Sequence, residues 1–151
     1  MSKNNTATAA EHFELGRRYA LGDGVPKDDK KAFECYTKAA EQGYADAQNK
    51  LGDWYSSGFG NTNFRNAAEW YEKAAEQGHT GAQFSLGGLY KSGYSVNRNS
   101  FEDIHNPATD IQKNLDLAIK WFRKAAEGGY ITQGGLSAEY FLNDCLAQKT
   151  K

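Results

Sequence analysis

One feature constrains this chain more than any other: it repeats itself at a nearly fixed interval. Leu15-Gly16-Arg17-Arg18-Tyr19 returns as Leu51-Gly52-Asp53-Trp54-Tyr55 and again as Leu86-Gly87-Gly88-Leu89-Tyr90, so the leucines fall 36 and then 35 positions apart. A second block follows each time. Ala32-Phe33-Glu34-Cys35-Tyr36-Thr37-Lys38-Ala39-Ala40 returns as Ala67-Ala68-Glu69-Trp70-Tyr71-Glu72-Lys73-Ala74-Ala75, then as Ala118-Ile119-Lys120-Trp121-Phe122-Arg123-Lys124-Ala125-Ala126. A period of this length means a stacked array of one supersecondary unit, each copy burying a face that it cannot bury alone.

Each unit reads as a helix pair. In the first helix, A, the Leu, Gly and Tyr lie at i, i+1 and i+4, on one face; in the second, B, the alanines and the central aromatic lie at i, i+4, i+7 and i+8. Glycine after leucine and the paired alanines remove bulk, so that the two helices can approach closely. Asp28, Asn63 and Asn114 stand four residues before the first helix-B alanine, as N-caps whose side-chain oxygen accepts from an orphan backbone N–H. Gly43, Gly78 and Gly129 follow helix B in the place suited to a left-handed residue, and Gly22, Gly58 and Gly93 end helix A. These signals predict helix A over 8–20, 45–57 and 80–92, and helix B over 29–41, 64–76 and 115–127. A last helix over 135–148 is expected to set Leu136, Tyr140 and Phe141 against the third repeat and to cap the array with a polar tail.

The pattern Leu-Gly-x-x-Tyr-x-x-Gly followed by Ala-x-x-Trp-Tyr-x-Lys-Ala-Ala-x-x-Gly resembles the Sel-one-like repeat, a relative of the tetratricopeptide repeat. The resemblance covers residues 9–130. It implies an all-α, right-handed α/α superhelical solenoid of three helix pairs plus a C-terminal capping helix, with a concave face, and a role in holding other proteins together. Its motif is structural and assigns no catalytic residue. The expected organisation is a flexible N-terminus over 1–8, repeats over 9–44, 45–79 and 80–130, and a capping helix and tail over 131–151. The third repeat carries an insertion at 96–110 between its two helices. Cysteine-rich secreted relatives brace each helix pair with a disulfide; Cys35 has no partner at the required spacing, so the chain does not fit that branch.

By analogy with tetratricopeptide arrays, the flank of helix A two before, two after and five after the leucine would line the concave groove. It comprises Phe13, Arg17 and Ala20, then Asn49, Asp53 and Ser56, then Phe84, Gly88 and Lys91. Phe13 and Phe84 are candidate aromatic anchors, although burial against the next repeat would explain them equally. The insertion, with Phe101, Ile104, His105 and Pro107, is long enough to be a binding element or a tolerated surface loop. The candidate partner contacts are therefore Phe13, Arg17, Asn49, Asp53, Phe84, Lys91, Phe101 and His105.

The chemistry search points away from an enzyme. His12, His79 and His105 stand at non-equivalent places, and no metal-ligand spacing or phosphate-binding loop occurs; Glu102, Asp103 and His105 make a weak metal set at best. No catalytic residue, metal or cofactor is expected. With 18 basic and 19 acidic residues the net charge is −1, and no basic stripe suggests nucleic acid. There is no apolar run of the ~18 residues needed for a membrane span, and the polar start lacks the core of a signal peptide. Two distant cysteines read as reduced thiols. The expectation is a monomeric, cytoplasmic scaffold or adaptor that binds a protein or peptide. The alternative is a bacterial immunity protein that neutralises a cognate toxin or effector.

Overall fold

The computed structural model describes residues 7–57, 62–93 and 113–150. Seven helices run through them: α1 (Ala9–Leu21), α2 (Asp29–Glu41), α3 (Ala45–Ser57), α4 (Phe64–Glu76), α5 (Thr80–Ser92), α6 (Leu115–Glu127) and α7 (Ala138–Lys149). They pair as α1 with α2, α3 with α4 and α5 with α6; each pair stacks on the next, and α7 closes the array against α6. This is an all-helical solenoid.

The helices begin and end for the reasons legible in the chain. Asp28, Asn63 and Asn114 accept from the backbone N–H of Lys31, Asn66 and Leu117 at 2.9–3.0 Å. Thr8 and Glu11 form a reciprocal capping box at α1. After the B helices, Gly43, Gly78 and Gly129 take φ of +88°, +90° and +72°, a region that L side chains adopt only with strain. Helix A of the first pair ends at Gly22, also left-handed; Gly58 lies outside the described residues.

Within each pair the helix-A glycine receives the helix-B ring. A Cβ added to Gly16 would lie 2.8 Å from the Tyr36 ring, and one added to Gly87 would lie 2.9 Å from the Phe122 ring; at Gly52 it would collide outright with Tyr71. Tyr36, Tyr71 and Phe122 are almost wholly buried as a result, each worth roughly 1.5–3 kcal/mol of transfer free energy. The preceding residue of the motif faces the other way along the stack. Trp70 packs on the core of the first pair, and Trp121 joins that of the second.

Buried glutamines tie successive pairs together. Gln48 Nε2 donates to the Ala40 carbonyl at 3.1 Å, and Gln83 Nε2 to the Ala75 carbonyl at 3.0 Å, each reaching back to the end of the previous helix B. Gln48 Oε1 in turn accepts from Gln77 Nε2 at 2.7 Å. Gln83 Oε1 has no such partner and is buried, because the residue equivalent to Gln77 is Gly128. A Cβ at Gly128 would meet the Thr80 methyl, where the second repeat has Ala45. The double change Thr80→Ala/Gly128→Gln should therefore stabilise the protein by about 1 kcal/mol, by completing the hydrogen bond to a buried acceptor. Gly128→Gln alone should gain nothing. Chemical denaturation of both variants decides it; equal midpoints for the single and double variants would refute the steric account.

The C-terminal helix differs from expectation. It starts at Ala138 rather than near 135, and Leu136 and Tyr140 are 46% and 59% exposed instead of packing on the third repeat. The cause is a tight turn. Ile131 and Ser137 pair as an isolated bridge, Thr132 N–H donates to the Leu136 carbonyl, and Gly135 adopts φ +78°. The Gly134-Gly135 pair supplies the freedom for that turn and delays the helix. Phe141 packs on the third repeat as expected, joined there by Leu142 and Cys145 rather than by Leu136 and Tyr140.

Candidate binding groove

The A helices share one face of the array, with α3 touching α5, and two cavities open on either side of α3. The larger, about 510 Å³, lies between α1 and α3; Ala20, Leu21, Tyr36 and Trp54 wall it, and Arg17 and Asp53 stand at its edge. The smaller, about 320 Å³, lies between α3 and α5, with Ser56, Tyr71, Ser85 and Gly88 among its lining. Gly88 leaves real space there: a Cβ at that position would meet nothing within 4 Å.

The Tyr71 hydroxyl joins the two. It donates to Asp53 Oδ1 at 2.9 Å and lies 3.1 Å from Ser56 Oγ. Burial, reinforced by the Asp53 charge, pushes the Tyr71 phenol well above the usual tyrosine range, so it remains a neutral donor. Ion pairs of both signs edge the larger cavity. Lys50 stands 3.6 Å from Asp53 and Lys27 3.9 Å from Asp29, while Arg17 makes a two-pronged contact with Glu14 at 3.0 and 2.6 Å. All are exposed enough for solvent to take most of their strength.

Of the sequence candidates, Arg17 and Asp53 line the larger cavity, together with Ala20; Ser56 and Gly88 line the smaller. Phe13 and Phe84 are half-buried against aromatic rings, Phe13 within its own repeat and Phe84 between its own repeat and the capping helix α7. The Phe13 ring centroid is 5.5 Å from that of Tyr36 and 5.0 Å from that of Tyr44; the Phe84 centroid is 4.8 Å from that of Tyr130 and 5.0 Å from that of Phe141. Asn49 occupies the matching place at the middle junction, where its Oδ1 is buried without a hydrogen-bond partner. Opposite it, where the flanking repeats have Tyr44 and Tyr130, stands His79. The His79 ring accepts the Ala82 N–H at 3.0 Å and contacts Asp46 at 3.1 Å. Lys91 is held by Asp144 of α7 at 2.6 Å and lies over the Phe141 ring. Phe101 and His105 lie outside the described residues, as do Glu102 and Asp103.

Leu21, Trp54 and the Tyr71 hydroxyl are groove elements that the flank rule missed. Leu21 and Trp54 sit six and three positions past their leucines, off the stripe, and Tyr71 reads in the sequence as core alone. Cys35 and Cys145 are free and buried, and burial raises both thiols, which keeps them protonated and unreactive. Among the described residues no group of three His, Cys, Asp or Glu is placed to hold a metal ion.

The family model of the Sel1 repeat matches residues 12–44, 45–79 and 104–130. The chain belongs to the Sel1 repeat family. The Sel1 repeat protein from Oxalobacter formigenes, a crystal structure, superposes with a TM-score of 0.68 at 32% identity over 90% of this chain and 88% of that one. The SLR-fold protein c5321, a protective antigen present in uropathogenic Escherichia coli strains, superposes with a TM-score of 0.65 at 31% identity. That match covers 81% of this chain but 23% of c5321, so the present Sel1 array spans about a quarter of its length. No curated protein matches the chain. Sel1 repeat proteins are typically scaffolds for protein–protein interaction. Among the described residues no helix is long and apolar enough to cross a membrane.

Proposed function

We propose that this Sel1 repeat protein is a non-enzymatic adaptor that binds a protein or an extended peptide along its helix-A face. The single observation carrying the reading is the pair of cavities flanking α3, bridged by Tyr71 and lined by Arg17, Ala20, Asp53, Ser56 and Gly88. Five of the nine flank positions thus border open space on one surface. That is the geometry a chain crossing the repeats requires. In this reading Arg17 and Asp53 are the direct contacts, and Phe13, Phe84, Asn49 and Lys91 shape the groove from its junctions. The 96–110 segment, with Phe101 and His105, adds a second contact. The alternative is a bacterial immunity protein that neutralises a cognate toxin or effector; it requires one partner bound very tightly.

Site-specific photo-crosslinking in cells tests the proposal. A benzophenone amino acid at position 57 replaces an exposed serine that lines the larger cavity, whereas one at Glu69 sits on the exposed face of α4. Discrete partner adducts are expected from position 57 and none from position 69, with the yield reduced by deletion of residues 96–110. Equal adducts from both positions, or adducts from 69 alone, would remove the groove from the function.

A further inference from the structure

We infer that the α1–α3 cavity is the anchor site of the groove and takes one bulky apolar side chain, Leu, Phe or Trp, from an extended segment of the partner; this rests on the groove reading above. The walls supply the first argument. Leu21, in the last turn of α1, is 66% exposed, the highest value for any large hydrophobic side chain among the described residues. It faces the cavity alongside Ala20 and Trp54. Burying such a side chain against a partner is favourable by transfer alone, and a buried apolar anchor in a pocket is the usual energetic centre of an interface.

The edge supplies the second argument. Arg17, Lys27 and Lys50 each have an acid within reach, Glu14, Asp29 and Asp53, so the edge offers a charged anchor no net complement, and a carboxylate or ammonium entering the cavity would give up hydration without one. An apolar side chain displaces only water from apolar walls, and the mixed-sign edge favours neither sign of flanking residue.

The neighbouring cavity supplies the third. On the far side of the Asp53–Tyr71–Ser56 bridge lies the second cavity, where Gly88 leaves room for main chain and the Ser56 and Ser85 hydroxyls line part of the wall. The two cavities lie on opposite sides of a single helix, the first with mostly apolar walls and the second lined by the Ser56, Tyr71 and Ser85 hydroxyls together with Phe64 and Leu89. That arrangement fits a chain with its anchor residue between α1 and α3 and its backbone crossing α5.

A phage-displayed library of random dodecapeptides, selected on the full-length protein, tests the inference, with affinities of the synthetic peptides measured by calorimetry. Enriched peptides are expected to share one bulky apolar residue, and replacing it by alanine should weaken binding about tenfold or more. Leu21→Ser should weaken binding similarly while leaving the melting temperature unchanged, because Leu21 is exposed in the free protein. Gly88→Trp should also weaken binding by obstructing the path of the chain. Peptides that lose affinity with Gly88→Trp but not with Leu21→Ser would overturn the anchor site and leave the groove standing. Peptides indifferent to both substitutions would overturn the groove as well. Selection for charged residues with no shared apolar position, or no enrichment at all, would overturn the anchor.

Discussion

Gly52→Ala is expected to destabilise this protein by about 1–3 kcal/mol, although alanine is the better helix former by about 1 kcal/mol. The added methyl would sit inside the Tyr71 ring, which has no freedom to retreat: its hydroxyl is bound to Asp53 and lies against Ser56, and its ring is buried. Moving the ring would break those contacts and open the joint between the second and third pairs. Gly88→Ala is the control with the opposite sign. Its methyl meets nothing within 4 Å, so only the helix propensity changes, and the protein should gain up to about 1 kcal/mol. For a chain of this length a change of 1 kcal/mol moves the thermal midpoint by about 2–4 °C, so the two variants should shift in opposite directions by resolvable amounts. A Gly52→Ala protein as stable as the parent would mean that the helix pair is not as close as described.

Phe122→Ala should be the most damaging single change, costing about 3–5 kcal/mol. Phe122 is 1% exposed and sits where three elements meet: it covers Gly87 of α5, its ring centroid is 5.4 Å from that of Phe84, and it stacks on Phe141 of α7 at 5.7 Å. Its removal leaves a cavity that neither helix can fill without giving up its other contacts. Because each unit of an array touches only its neighbours, the damage should be local. Hydrogen exchange should show α5, α6 and α7 losing most of their protection while α1 and α2 lose little. Uniform loss along the chain would show that the array unfolds as one cooperative block.

The function proposed for the groove depends on the same packing. The glycine and ring contacts set how closely the A and B helices of each pair approach, and the ring that covers Gly52 carries the Tyr71 hydroxyl into the wall beside α3. A variant that disturbs Tyr71 therefore disturbs Asp53 and Ser56 together, so groove substitutions are best placed at Leu21 and Gly88, which carry little of the fold.

Three kinds of information in the sequence were local, and these determined the repeat, the helix pairs and their ends. Period 35 to 36, the Asp and Asn caps and the left-handed glycines act over a few residues, so they are readable wherever the pattern is intact; α2, α3, α4, α5 and α6 begin and end where these signals put them. The last helix was misplaced because its start is set by the turn between Ile131 and Ser137, whose bridge competes with helix for the same residues. The groove was legible only in part. A helical stripe names which side of helix A is inward, which recovered Arg17, Ala20, Asp53, Ser56 and Gly88. It does not say how far the next helix stands away, and that distance decides whether a position borders a cavity or a neighbour. Phe13 and Phe84 share the stripe with Arg17 and Gly88, yet they are taken up in packing, because Tyr44 and Tyr130, at the ends of their own repeats, fold back to meet them. Leu21 and Trp54 lie off the stripe and still line the larger cavity, because the last turn of α1 and the second half of α3 enclose it together. Side-chain periodicity is a property of one helix; the shape of a groove belongs to the several helices that enclose it, and only their packing fixes it.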